Sequence, residues 1–206
     1  MHLNFNNGQY EGDVNSSRQM HGYGTYVWNS GSVYVGYWKN GKKHGKGDMH
    51  WESGASYSGD WANDVPHGKG FKIFKDGERY EGDFVNGKPH GYGVFLWTNG
   101  TRDEGNFTNG RLNGYAIKIT PKGSRYEGDF VNDKYHGKGV FLHYSGFKYV
   151  GDFIDGKMQG YGVKTFPNGD KYEGGFSNNT FHGIGVITWA NGKVENSRWE
   201  NGVRIG

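Results

Sequence analysis

The chain has 206 residues, a net charge of +3 with histidine neutral, and no cysteine. The missing cysteines exclude a disulfide framework and thiolate metal sites, and so small a charge does not single out nucleic acid as a partner. Hydrophobic residues make up only 33% while aromatics reach 17% and glycine supplies 39 positions. Disordered chains are poor in aromatic residues, so this composition describes a thin folded structure with little conventional core. No stretch approaches the ~18 consecutive apolar residues of a membrane span. The opening Met-His-Leu-Asn-Phe lacks the basic-then-apolar pattern of a secretory leader. These features lead to the expectation of an intracellular protein, cytoplasmic or associated with cytoskeleton or membrane.

One motif recurs along the whole chain. It starts at Tyr10, Tyr34, Tyr57, Tyr80, Asp103, Tyr126, Tyr149 and Tyr172, with a truncated copy from Glu195; the first interval is 24 residues and the others 23. A fixed period of this length marks a repeat array, in which binding surfaces are assembled from many units. Residues 1–206 are therefore read as a single array.

Each copy opens with an aromatic residue, then a glycine two positions on, then a second large apolar residue, as in Tyr80-Glu81-Gly82-Asp83-Phe84. Period two places these three on one face of a strand. Asn-Gly or Asn-Asp follows, for example Asn86-Gly87 and Asn132-Asp133, and Asn-Gly between alternating segments signals a two-residue hairpin turn. The second strand reads His-Gly-x-Gly, best seen at His90 to Trp97, and a second turn closes the unit at pairs such as Asn99-Gly100. Glycine is too dense, and the apolar spacing too short, for helix.

Tyr80 to Phe84 followed by His90-Gly91-Tyr92-Gly93 resembles the MORN (membrane occupation and recognition nexus) repeat, and the resemblance extends over about residues 10–202. It implies an all-β fold: an elongated, twisted single antiparallel sheet of consecutive β-hairpins. It also implies a scaffold role, since such arrays occur in cytoskeletal and ciliary assemblies, in junctional membrane proteins, and attached to lipid kinases or methyltransferases. The fifth unit departs from the pattern, with Asp103 for the aromatic, Asn113 for histidine, Ala116 for glycine and Thr120 for the closing aromatic. It reads either as drift in a tolerant array or as a local bend or partner notch.

Several columns of side chains could carry chemistry. Six histidines align from His21 to His182, but units spaced by ~10 Å cannot share an ion that needs ligands at ~2 Å, so no metal is expected. Carboxylates repeat without a distinct nucleophile or pocket, so neither an enzyme nor a cofactor site is expected. Two basic columns, with Lys88, Arg111, Lys134 and Lys157 in one and Arg125, Lys148 and Lys171 in the other, could meet anionic lipid headgroups or simply keep an open sheet soluble. The aromatic–glycine face offers Trp38, Trp61, Phe84, Phe107, Tyr57 and Tyr80 as a candidate partner groove, against the alternative that such rings pack internally. The leading expectation is a non-enzymatic scaffold that binds a partner protein through this face, with a homodimer possible. The alternatives are a peripheral tether for anionic membranes and a targeting subunit of a separately encoded enzyme.

Overall fold

The computed structural model describes residues 1–206. It contains nineteen β-strands and no helix, arranged as antiparallel hairpins joined by short turns. The expected all-β array of hairpins is thus observed. By its packing the chain divides into two compact units: residues 1–98 with 107–110, and residues 99–106 with 111–206.

The turn chemistry follows the sequence. Asn63 and Asp64 hold φ of 50° and 71°, and Asn86 and Gly87 hold 51° and 76°, the doubly positive pattern of a type I′ turn. Each such turn also latches onto the repeat before it. The amide of Asp64 donates to the Lys43 carbonyl at 3.0 Å, that of Gly87 to Pro66 at 2.9 Å, and that of Asp133 to Leu112 at 3.0 Å. Where the turn ends in Asp or Asn its side chain adds a second bond, as in Lys43 N–H to Asp64 Oδ1 (2.9 Å) and Met158 N–H to Asn179 Oδ1 (2.8 Å).

The histidine column serves the same seam. His21 Nδ1 accepts the Asn40 amide at 3.4 Å, and Asn113 Oδ1 and Gln159 Oε1 accept the Asn132 and Asn178 amides at 3.1 and 3.0 Å. The position therefore calls for an acceptor of suitable reach, which three residue types supply.

Inside each unit the opening tyrosine folds back over the next strand. A Cβ on Gly93 would overlap the ring and phenol oxygen of Tyr80, and the same holds for Gly139 under Tyr126. The first glycine of the His-Gly-x-Gly run has a different task. Gly91 sits at φ 62°, and the register slips between Gly82 and Asp83, where Asp83 faces His90 while Gly82 faces Gly93. This bulge breaks the ladder at the Asp83 carbonyl, and the Tyr80 hydroxyl donates to that carbonyl at 3.1 Å. Tyr57 to Asp60 (2.8 Å), Tyr126 to Asp129 (3.0 Å) and Tyr149 to Asp152 (3.0 Å) repeat the arrangement.

The rings then interlock. In the first unit Tyr10, Trp38, Tyr34, Trp61, Tyr57, Phe84, Tyr80 and Phe107 form an unbroken chain of edge-to-face contacts, with centroids 5.0–5.6 Å apart. In the second unit the chain runs Tyr126, Phe153, Tyr149, Phe176, Tyr172 and Trp199. Edge-to-face pairs add ~0.5–1.5 kcal/mol each beyond the area they bury. This ladder is the core.

The fifth repeat proves to be a matched replacement. Asp103 stands at the tyrosine position, is buried to 1% exposure, and is paired with Lys118 Nζ at 2.9 Å. Ala116 stands where the other repeats carry the glycine that underlies a ring, and is itself 1% exposed. A methyl is tolerated in the one repeat that lacks the ring above it. Restoring the ring alone by Asp103→Tyr therefore drives it into Ala116 and strands Lys118; a loss of about 3 kcal/mol is expected. Combining it with Ala116→Gly should recover at least ~1 kcal/mol of that loss, since contacting sites couple by about 0.5–3 kcal/mol. Urea denaturation of the single and double variants measures both quantities, and strictly additive effects would exclude the matching.

Candidate functional site

The six rings expected to form a partner groove do not offer one. Trp38, Trp61, Phe84, Phe107, Tyr57 and Tyr80 retain 5% exposure or less, because they are the ladder itself. Their polar atoms are also spent internally: Trp61 Nε1 donates to the Gly47 carbonyl at 2.9 Å and Trp38 Nε1 to Gly24 at 3.2 Å. In this structure the six rings therefore build the core. The side chains that cover it include lysines lying over rings. Lys43 Nζ is 4.5 Å from the Trp61 centroid and Lys164 Nζ is 4.3 Å from that of Phe147. Burial lowers the pKa of both amines, opposed at Lys43 by the nearby Asp64.

The opposite face of the same backbone carries a trench in each unit. Its floor is a file of glycines crossing the strands at right angles. In the first unit Gly36, Gly47, Gly59, Gly70, Gly82 and Gly93 are successive cross-strand partners; in the second, Gly128, Gly139, Gly151, Gly162, Gly174 and Gly185. The neighbouring rows of side chains form the walls.

In the first unit one wall runs Val35, Asp48, Ser58, Phe71, Glu81, Val94 in cross-strand order. The other contains the ion pairs Lys46–Asp60 (2.8 Å) and Lys69–Asp83 (2.7 Å) and the ring of Tyr92, which is 54% exposed. The part of this trench lined by Lys46, Asp48, Lys69, Phe71, Glu81 and Tyr92 measures about 670 Å³. Asp48 and Glu81 on its first wall are in no ion pair, so this trench has an acidic side.

In the second unit the trench is more apolar, with Val140, Val150 and Val163 along one wall and Lys138 on the other, and measures about 540 Å³. Tyr115 and Tyr161, 52% and 57% exposed, stand at its ends. Each crosses from one wall to the other: the Tyr115 hydroxyl donates to Glu127, and that of Tyr161 to Glu173 at 2.9 Å. Those bonds raise both phenol pKa values and help to lower those of the two carboxylates, on which Arg125 and Lys171 also act.

The trench and its tyrosines were not anticipated from sequence. The available signal was the residue after the first glycine of the His-Gly-x-Gly run, which is Tyr or Lys at Tyr23, Lys46, Lys69, Tyr92, Tyr115, Lys138 and Tyr161 and Ile184 in the last copy.

The two basic columns are held apart. Lys134 faces Val131 at one end of its strand, while Arg125 faces Leu142 at the other end, so the columns line opposite edges. Many of their charges are engaged: Arg125 with Glu127 (2.6 Å), Lys171 with Glu173 (2.8 Å), Lys134 with Asp155 (3.6 Å), and Arg111 with Asp133 at 4.0 Å. Lys157 donates to Asn178 at 3.1 Å, and both Lys88 and Lys148 are exposed. No cluster of three or more His, Asp or Glu side chains could hold a metal ion, and no helix is long and apolar enough to cross a membrane.

Comparison with known proteins agrees with this construction. The MORN repeat family model matches eight times, at residues 19–33, 34–56, 57–79, 80–102, 104–125, 126–147, 149–171 and 172–194. No match to a curated protein was found. Among solved structures the chain is similar to the wild-type TCP10 domain of Danio rerio CPAP, at 12% identity and a TM-score of 0.51, covering 96% of this chain and 94% of that one. It is also similar to the SAS-4 (dCPAP) TCP domain of Drosophila melanogaster in complex with a proline-rich motif of Ana2 (dSTIL), at 14% identity and a TM-score of 0.47, covering 74% and 83% of the two chains. At 12% identity the likeness to the Danio rerio domain shows a shared sheet architecture and nothing finer.

The buried ladder makes the fold sensitive to alkali. Burial, aided in four of them by the aspartate three positions on, raises the phenol pKa values of Tyr34, Tyr57, Tyr80, Tyr126 and Tyr149 well above the ordinary 10.0. Tyr135, which stacks on Tyr126, is pushed up to about 12, chiefly by burial and then by Asp103. A folded-state pKa above the unfolded one contributes stability that is complete below the unfolded value and is lost as pH rises through the folded one. The ladder therefore holds fully below pH 10.0 and weakens above it. An alkaline titration should show these tyrosines ionising together with loss of the β-sheet circular dichroism signal; their ionisation with the signal intact would contradict the ladder.

Proposed function

The chain belongs to the MORN-repeat family, and on that premise we propose that it is a non-enzymatic docking scaffold whose glycine-floored trenches receive a linear segment of a partner protein. The observation that supports this reading is the pairing of a bare backbone floor with exposed aromatic rings, on the face the ladder leaves free. Aromatic side chains are enriched among binding hot spots, and tyrosine supplies large rigid contact area at little cost in conformational entropy. The trench runs across the strands through several repeats, which suits an extended chain better than a compact ligand.

Selection of random linear peptides of about 16 residues, long enough to span several repeats, on the full-length protein tests the reading. Binding of the selected peptides should fall about tenfold or more with Phe71→Asp in the first trench or Val150→Asp in the second, as expected for loss of a hot-spot contact. Both side chains are more than a third exposed, so both variants should melt close to the parent. Peptide binding that survives both substitutions would sink the proposal. Flotation with phosphatidylserine vesicles, abolished by charge reversal at Lys148 and Lys88, would instead favour a membrane tether.

A further inference from the structure

The second-unit trench carries a more specific signature, and it rests on the docking reading above. We propose that its occupant is an uncharged, proline-rich segment of a partner protein in the polyproline II conformation.

Three observations lead there. The first is that the floor has nothing to donate or accept. Its glycines are paired in the ladder from Gly128 to Gly139, Gly151 and Gly162. A guest chain lying on them adds no strand to the sheet, and each amide it turns to the floor loses its water partner without replacement. Proline has no N–H to leave unpaired, and polyproline II needs no internal hydrogen bonds.

The second is charge. Asp152 is bound by Lys138, Glu127 by Arg125 and Tyr115, and Glu173 by Lys171 and Tyr161. The charged groups that line the trench, Glu127 and Lys138, are thus paired internally, while the wall between the two tyrosines is Val140, Val150 and Val163. An uncharged apolar guest complements it; a charged one would have to break these pairs.

The third is pitch. Successive repeats advance by two strands, or roughly 9.6 Å before twist. One turn of polyproline II is three residues and about 9.3 Å. A β-strand guest repeats its side chains every ~6.7 Å and falls out of step. Only the three-residue helix stays in register. Tyr115 and Tyr161 lie two repeats apart, so prolines at i and i+6 rest on the two rings while residue i+3 lies beside the stem of Lys138. Aromatic-lined grooves are a general receptor for such helices, whose preformed shape lowers the entropy lost on binding.

Fluorescence anisotropy with fluorescein-labelled decaproline and the full-length protein tests the assignment, with a labelled Gly-Ser decapeptide as control. Saturable binding of decaproline alone is expected. Tyr115→Ala and Tyr161→Ala should each weaken it about tenfold, whereas Tyr115→Phe, which keeps the ring, and Tyr92→Ala, in the other unit, should leave it unchanged. Both phenols are exposed, and unchanged melting temperatures establish that the variants are folded. Absence of saturable binding, or binding indifferent to both alanine variants, overturns the proposal. If decaproline fails while selected peptides remain sensitive to Val150→Asp, the polyproline assignment falls and the docking role stands; if both fail, both fall.

Discussion

Everything in this molecule depends on a tyrosine ring lying flat on a glycine of the next strand, with its hydroxyl bound to a carbonyl that a bulge has released. Three sequence features meet in that one contact. The second glycine of the pair leaves room for the ring, as at Gly93 under Tyr80. The first glycine, Gly91 at φ 62°, makes the bulge. The bulge exposes the carbonyl of Asp83 for the Tyr80 hydroxyl. A ring so placed presents its edge and face to the large apolar residues on either side, Phe84 and Phe107 in this case, and the ladder follows. An all-β array with only 33% hydrophobic residues can be stable because its rings make the core without a second layer.

The same glycines separate stability from recognition. On one side of the backbone they are roofed by rings; on the other they form an open floor between two rows of side chains. On the ladder side the rings Tyr57, Trp61, Tyr80 and Phe84 are buried, and lysines such as Lys43 and Lys164 lie as covers over rings. The open side presents rings that bear little on the core, with Tyr92, Tyr115 and Tyr161 all more than half exposed. The two trenches also differ in character, one with unpaired carboxylates at Asp48 and Glu81, the other with its charges satisfied and its wall built of valines.

The strand-and-turn plan was legible because it is written in repetition: period-two spacing around Gly82 and the Asn86-Gly87 pair each specify one local conformation. The fate of Trp61 and Phe84 was not legible in the same way. Parity told that they share a face with Tyr57 and Tyr80, but not that this face closes on itself, because the closure depends on a bulge that shifts register by two residues. Parity counted through the bulge also hid the importance of Tyr115 and Tyr161, which read as the variable position between two glycines. The fifth repeat shows the complementary limit. Asp103 and Ala116 look like independent departures along the chain, and Lys118 stands in a column that also holds Lys72 and Lys164; the three become one exchange only when the strands are set side by side.

The latches along the turn edge are unequal. Seams closed by Asp64, Asp133 and Asn179 hold through both an amide donor and a side-chain acceptor, while those closed by Gly87 and Gly110 hold through the amide alone. A pull applied along that margin accordingly meets strong and weak stitches in a fixed order. Peeling would start at a glycine seam and halt at the next acidic or amide one, giving the margin a built-in set of rip-stops.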